Sequence, residues 1–202
     1  MSPLDQIALA LSSRHPTREQ PEDRRRAAVA LVLRSRGVEA DLLYIRRTER
    51  AGDPWSGHIA FPGGKVEKED VTPRAAAERE TREEIGLDLA GFPFLGRLDD
   101  TVTTYNRTHV SGFVYLLSEK VDLKLNREIQ SIYWTALPVL AAPSRQLVTI
   151  VKGIWGERQV PALQLLEDME PLLWGLTYRM TAQLLHFIGV QLPDGTPAQT
   201  TN

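Results

Sequence analysis

Gly63-Gly64-Lys65-Val66-Glu67-Lys68-Glu69-Asp70, continuing to Arg79-Glu80-Thr81-Arg82-Glu83-Glu84-Ile85-Gly86-Leu87, is the stretch on which the fold turns. Its second half reads as a helix with clear punctuation. Thr72 can N-cap it, Pro73 suits the first helical position, and Gly86 stands where a left-handed C-cap is wanted. At about 100° per residue, Glu80, Glu83 and Glu84 share roughly one 100° arc of that helix. Like charges at this spacing repel, and the helix C-terminus already carries partial negative charge. Each penalty is a few tenths of a kcal/mol, so the helix tolerates it. The return is a cluster of hard oxygen ligands of the kind Mg²⁺ or Mn²⁺ prefers. The bland alternative is a solvated acidic face tied down by arginines, with Arg79 facing Glu83 and Glu78 facing Arg82 at i,i+4. Gly63-Gly64 reads as a turn that permits close backbone approach and can leave a carbonyl free as a further ligand.

Outward from this segment, Leu4, Ile7, Ala8 and Leu11 fall at helical spacing and predict a short helix over 3–13, followed by a polar loop through Pro16 and Pro21. Ala27–Leu33 is a continuous apolar run readable as a buried strand, and Leu42–Arg46 a second strand beyond Gly37. Residues 48–60 read as a loop. Strands are expected at Phe94–Leu98, His109–Leu117 and Ile129–Trp134, and a hairpin at Val148–Ile154 and Gln159–Leu163, turning at Gly156-Glu157. A last helix over 171–188 carries Leu172, Leu173, Leu176, Met180, Leu184, Leu185 and Ile188 on one stripe. Interspersed strands and helices with long loops predict an α/β (α+β) arrangement, a mixed sheet sandwiched between helices. The expected organisation is an N-terminal helix and loop extension over 1–25, a catalytic domain over 26–190 and a flexible tail over 191–202.

With 202 residues, 42% of them hydrophobic, the chain can bury one domain core. A net charge of −2 gives no bulk electrostatic footprint for nucleic acid or for an acidic membrane. The single basic run, Arg24–Arg26, reads as the solvated start of a strand. Absence of cysteine excludes disulfides, thiolate zinc sites and a cysteine nucleophile. There is no apolar span of membrane length and no secretory pattern at the N-terminus, so a cytoplasmic protein is expected.

The glycine pair, the following acid and Arg79-Glu80-Thr81-Arg82-Glu83-Glu84-Ile85-Gly86, with Phe61-Pro62 in front, resemble the Nudix box. Two positions depart from the commonest form: the early acid is Asp70 rather than glutamate, and the gap to Arg79 is one residue longer. The resemblance implies a Nudix fold and hydrolysis of a phosphoanhydride with Mg²⁺ or Mn²⁺. It implies Glu80 and Glu84 as principal metal ligands, joined by Glu83 and the Gly64 carbonyl, with Arg79 orienting the glutamates. Asp70 then helps to order the turn before Thr72. Glu128, in Asn126-Arg127-Glu128-Ile129, stands where relatives carry a glutamate that reaches the metals, and is the candidate base.

Leu42-Leu43-Tyr44-Ile45-Arg46-Arg47, Gly57-His58-Ile59-Ala60-Phe61-Pro62-Gly63-Gly64-Lys65 and Leu173-Trp174-Gly175-Leu176-Thr177 are similar to the coenzyme A diphosphatase branch. That branch carries an arginine where this chain has Asp53. The similarity implies cleavage of coenzyme A or acyl-CoA to adenosine 3′,5′-bisphosphate and 4′-phosphopantetheine. Alternatives are another nucleoside diphosphate derivative, such as ADP-ribose or a dinucleoside polyphosphate, and a Nudix-fold binding protein without catalysis. Arg46, Arg47, Arg50 and His58 are candidate substrate contacts, and strand alternation allows only one of Arg46 and Arg47 into the pocket. Trp55, Tyr105 and Trp155 are candidates for stacking on a base. His15, His109 and His186 show no ligand spacing. The expected partner is a small nucleotide-type substrate, with a homodimer possible through the hairpin and the N-terminal helix.

Overall fold

The structure is a computed structural model describing residues 1–18, 25–52, 55–103, 107–153, 156–165 and 171–193. Asp53, Tyr105 and Trp155 lie outside these residues, as does Arg24. In chain order the elements are α1 (Pro3–Ser13), β1 (Arg26–Arg36), β2 (Glu39–Arg47), β3 (Ile59–Ala60), β4 (Gly63–Lys65), α2 (Pro73–Ile85), β5 (Phe94–Arg97) and β6 (Thr101–Val102). There follow β7 (His109–Leu117), β8 (Ile129–Ala136), α3 (Leu137–Ala141), β9 (Gln146–Gly153), β10 (Gly156–Leu163), β11 (Leu173–Trp174) and α4 (Gly175–His186).

β1 is the axis of the main sheet. It runs parallel to β7 from Arg26↔His109 to Arg34↔Leu117 and antiparallel to β2, while β4 pairs with its first residues through Ala28↔Gly64. The order β3-β2-β1-β7-β5, with β8 on β2, makes the sheet mixed. Both faces of β1 are covered, which is why its sequence is a continuous apolar run rather than an alternation. Ala28, Ala30 and Val32 pack with Ala76, Ala77 and Ile85 of α2. Leu31 and Leu33 pack with Ile7 and Leu11 of α1, Leu140 of α3, and Tyr178, Leu184 and Leu185 of α4. A mixed sheet between two helical layers is therefore present as expected. The N-terminal helix is built into the same core: Gly96 lies so close beneath α1 that a Cβ there would meet the Leu11 Cβ at 2.8 Å.

The expected strands at 94–98, 109–117 and 129–134 are found within one or two residues of their bounds. Five expectations change. The final helix begins at Gly175, because Leu173 and Trp174 pair with Leu163 and Ala162 as β11. Gly156 and Glu157 do not turn the hairpin; they pair with Gly153 and Lys152 inside it. Gly63 and Gly64 form a strand on β1 rather than a free turn, and Ile59–Ala60 interrupts the loop before them as β3. Glu78 pairs with Arg74 at 2.9 Å on the preceding turn, rather than with Arg82.

Candidate functional site

α2 starts and stops as its sequence dictates. The Thr72 hydroxyl accepts from the Ala75 N–H, and Gly86 closes the helix at φ 70°, donating to the Arg82 carbonyl. A cap of the first kind contributes about 1 kcal/mol, and burial of Ile85 roughly 2 kcal/mol. Ala76 and Ala77 let the helix lie close to β1, so its acidic residues are brought to the β4 edge. There the two glycines have different reasons. A Cβ at Gly63 would stand 2.3 Å from the Ala28 carbonyl oxygen, and its φ of 145° favours glycine; a Cβ at Gly64 would stand 2.6 Å from the Glu80 carboxyl carbon. Gly63 thus permits the strand pairing, and Gly64 makes room for a carboxylate.

Arg79 gathers the acids. Its Nη1 donates to Glu80 at 2.9 Å and to Glu83 at 3.3 Å, while Nε and Nη2 each donate to Asp70 at 3.0 Å. Nη2 also reaches the Lys65 carbonyl at 3.2 Å. The Arg79 bond holds the Asp70 carboxyl below its ordinary range, and Asp70 in return raises the guanidinium's affinity for its proton. Asp70 also accepts from the Glu67 N–H at 2.8 Å, so it both orders the turn and anchors the arginine.

Glu84 differs from its neighbours. It is 4% exposed, and its Oε2 accepts from the Gly63 N–H at 2.9 Å. Burial pushes its carboxyl up to about 8; the Gly63 bond and the charge of Arg47 oppose this, and the charges of Glu80 and Glu128 add to it. Glu128 is carried there by a loop docked on the end of α2. Lys124 N–H donates to the Ile85 carbonyl and Asn126 N–H to that of Glu84, both at 2.9 Å, which satisfies two helix-end carbonyls. The Asn126 side chain then accepts from the Glu128 N–H at 2.8 Å, and Arg50 pairs with the Glu128 carboxylate at 3.3 Å.

Among the described residues no three Asp, Glu or His side chains are already gathered around one point. The donor chemistry nevertheless fits a hard divalent cation. A buried carboxylate that resists ionisation is relieved by a nearby positive charge, and Glu80 and Glu84 converge on the Gly63–Gly64 strand.

Beside this strand opens a cleft of about 480 Å³, lined among others by Arg25, Arg47, Trp55, His58, Gly64 and Trp174. Of the expected substrate contacts the cleft holds Arg47 and His58. Arg46 turns instead to Glu49 at 3.1 Å, across a β-bulge between Arg46 and Arg47, and Arg50 is engaged with Glu128. Trp55 is on the wall, its ring at 5.9 Å from that of His58, and the Trp174 ring lies 5.0 Å from that of His58, both edge-on. Arg25 and Arg26 at the start of β1 are exposed, as expected, and also border the cleft. The sequence read Trp174 as part of the last helix and did not place it on a cleft wall.

The chain belongs to the Nudix family, whose domain model matches residues 23–149. An uncharacterized protein of Schizosaccharomyces pombe is 38% identical over 113 residues, 52% of this chain and 34% of that one. The Nudix hydrolase NudL of Citrobacter koseri is 35% identical over 92 residues, 45% of this chain and 47% of the relative. The matched stretch therefore spans a third to a half of these relatives' length. The solved structure of a MutT/nudix family protein from Enterococcus faecalis covers 94% of this chain and 75% of its own at 14% identity, with a TM-score of 0.54, which shows a common fold.

Proposed function

We propose that this chain hydrolyses the phosphoanhydride bond of a nucleotide-type diphosphate, using Mg²⁺ or Mn²⁺ held by Glu80, Glu83, Glu84 and the Gly64 carbonyl. The observation that carries this is the buried Glu84 carboxylate bonded to Gly63, on the strand that borders the cleft. When bound, a divalent ion supplies neutralisation of the diphosphate oxygens and an acidified water. The chain's own residues do the rest. Arg79, anchored on Asp70, orients Glu80 and Glu83 and does not touch substrate. Arg47, whose charge acts on Glu84, meets a diphosphate oxygen at the cleft's inner end. The Glu128 carboxylate, held by Arg50, takes the proton of the attacking water as the bridging oxygen leaves with its phosphate.

Within this reading the substrate is coenzyme A or an acyl-CoA, supported by the likeness of residues 42–47, 57–65 and 173–177 to that branch. The chain works in the cytoplasm as a homodimer, in which β9 of one copy covers β9 of another; Val148 and Ile150 are exposed there on an edge strand. The test is hydrolysis of a panel of diphosphates with Mg²⁺, products identified by mass, in the wild type and in Glu80→Gln, Glu84→Gln and Glu128→Gln. Loss of at least a hundredfold in the first two is expected; full activity in either refutes the mechanism. Coenzyme A left intact while ADP-ribose is cut transfers the assignment to the second substrate, and no cleavage of any diphosphate leaves a binding protein.

A further inference from the structure

Both polar groups of the Glu128 backbone are held. Its carbonyl accepts from the Thr48 N–H at 2.8 Å, and its N–H donates to the Asn126 side chain, also at 2.8 Å. The Thr48 hydroxyl and Arg50 Nη2 donate to the Arg127 carbonyl at 3.1 and 3.4 Å, and Arg50 Nη1 pairs with the Glu128 carboxylate. The Thr48 and Arg50 bonds come from the chain just beyond β2, and the Asn126 bond comes from the loop on α2. Burial does not fix the Glu128 side chain, which is 41% exposed, so these bonds decide where its carboxylate stands.

Asn126 faces two ways. Its own N–H donates to the Glu84 carbonyl at 2.9 Å in the last turn of α2, while its Oδ1 takes the Glu128 N–H. One residue thus bridges the backbone of the buried Glu84 and that of Glu128. The loop has little freedom to shift on the helix. The Lys124 N–H is bonded to the Ile85 carbonyl at 2.9 Å, and a Cβ on the left-handed Gly86 would meet the Lys124 Cβ at 3.2 Å. The charge of Glu128 acts on the Glu84 carboxyl across the same site. Accepting the N–H two residues on is chemistry that asparagine and aspartate supply well and serine more weakly.

We propose that Asn126 is a positioning residue of the reaction, coupling the Glu128 backbone to the C-terminal end of α2 so that the base and Glu84 keep one spacing. This rests on the reading of Glu128 as the base. Asn126 touches no substrate and transfers no proton. A proton acceptor works only within hydrogen-bond reach of its water, and a displacement of about 1 Å costs up to roughly a hundredfold in rate. The Asn126 bond suppresses that displacement. Its loss is expected in turnover rather than in affinity, because Arg47 and the other cleft residues keep their places.

The test has two arms, both on the full chain. Amide hydrogen exchange, followed by NMR in the metal-free protein, reads the bond itself and does not depend on hydrolysis. In Asn126→Ala the Glu128 amide is expected to exchange about tenfold faster, with the Lys124 and Asn126-position amides within about twofold of wild type. The second arm is steady-state hydrolysis with Mg²⁺, kcat and KM separated. Its substrate is the first of coenzyme A, ADP-ribose and a dinucleoside polyphosphate that the wild type cleaves. Asn126→Ala is expected to lower kcat by about tenfold to a hundredfold at a KM within about twofold of wild type. Asn126→Asp should restore most of that loss and Asn126→Ser part of it. Asn126→Ala added to Glu128→Gln should cost nothing further, since a residue acting through the base has no role once the base is gone. Unchanged kcat in Asn126→Ala beside a slow Glu128→Gln overturns the positioning role and leaves Glu128 as the base. Full activity in Glu128→Gln, or no cleavage of any of the three substrates, overturns the base and this role with it. Independent losses in the double variant, a rise in KM at constant kcat, or unchanged exchange of the Glu128 amide also overturns the role of Asn126. Thermal unfolding of each variant confirms that the fold is intact, and Asn126→Ser carries the comparison if Asn126→Ala does not fold.

Discussion

Glu84→Gln should stabilise the metal-free protein, and by an amount that depends on pH. The Glu84 carboxyl is raised from its ordinary 4.5 to about 8, chiefly by burial. Between those values the folded chain keeps a proton that the unfolded chain has released. The stability contributed is therefore complete below pH 4.5 and is lost as pH rises through 8. Each pH unit across the window costs about 1.4 kcal/mol, on the order of 5 kcal/mol in all. Glutamine keeps an oxygen to accept the Gly63 N–H and has no charge to bury. Denaturant unfolding of both proteins in chelator should give equal stabilities near pH 4.5. The gap in favour of the variant should then widen to roughly 3–5 kcal/mol at pH 8. Added Mg²⁺ should restore much of the wild-type deficit and leave the variant unmoved, because only the wild type gains a counter-charge for its carboxylate. Parallel pH profiles for the two proteins in chelator would refute the assignment of a buried, proton-retaining Glu84.

Gly64→Ala places a methyl group 2.6 Å from the Glu80 carboxyl carbon, and should cost at least a hundredfold in hydrolysis with a small change in melting temperature. Gly63→Ala meets the β1 backbone instead, and should lower stability by several kcal/mol, read by the same melt. Asp70→Asn removes the charge that anchors Arg79, and should raise the Mg²⁺ concentration for half-maximal activity several-fold, with Asp70→Glu partly restoring it. Val148→Glu with Ile150→Glu should convert a dimer to a monomer by light scattering, and a wild-type monomer at high micromolar concentration ends the β9 pairing proposal.

The carboxylate helix was legible because its signals are local: Thr72, Pro73 and Gly86 fix its bounds without reference to anything distant. The buried strands were legible because covering both faces of β1 produces an unbroken apolar run. Trp174 was misplaced for a physical reason. Two apolar residues ahead of an apolar helical stripe satisfy either period, and only the partner Leu163–Ala162 decides for a strand. The basic run is exposed at the start of β1 as read, and only β4 and β11, from residues far along the chain, bring a cleft beside it. Glu128 was named as a candidate, but its route to α2 through Lys124 and Asn126 depends on backbone bonds that no side-chain pattern encodes.

The grip of Arg79 is divided unequally among its nitrogens. Nε and Nη2 hold Asp70, while Nη1 alone holds both Glu80 and Glu83. Were the glutamates to take up the proposed cation, one nitrogen would be engaged and the other two would stay fastened, like a bolt drawn while its hinge stays in the wall. Loading and unloading would then repeat without the turn at Asp70 letting go.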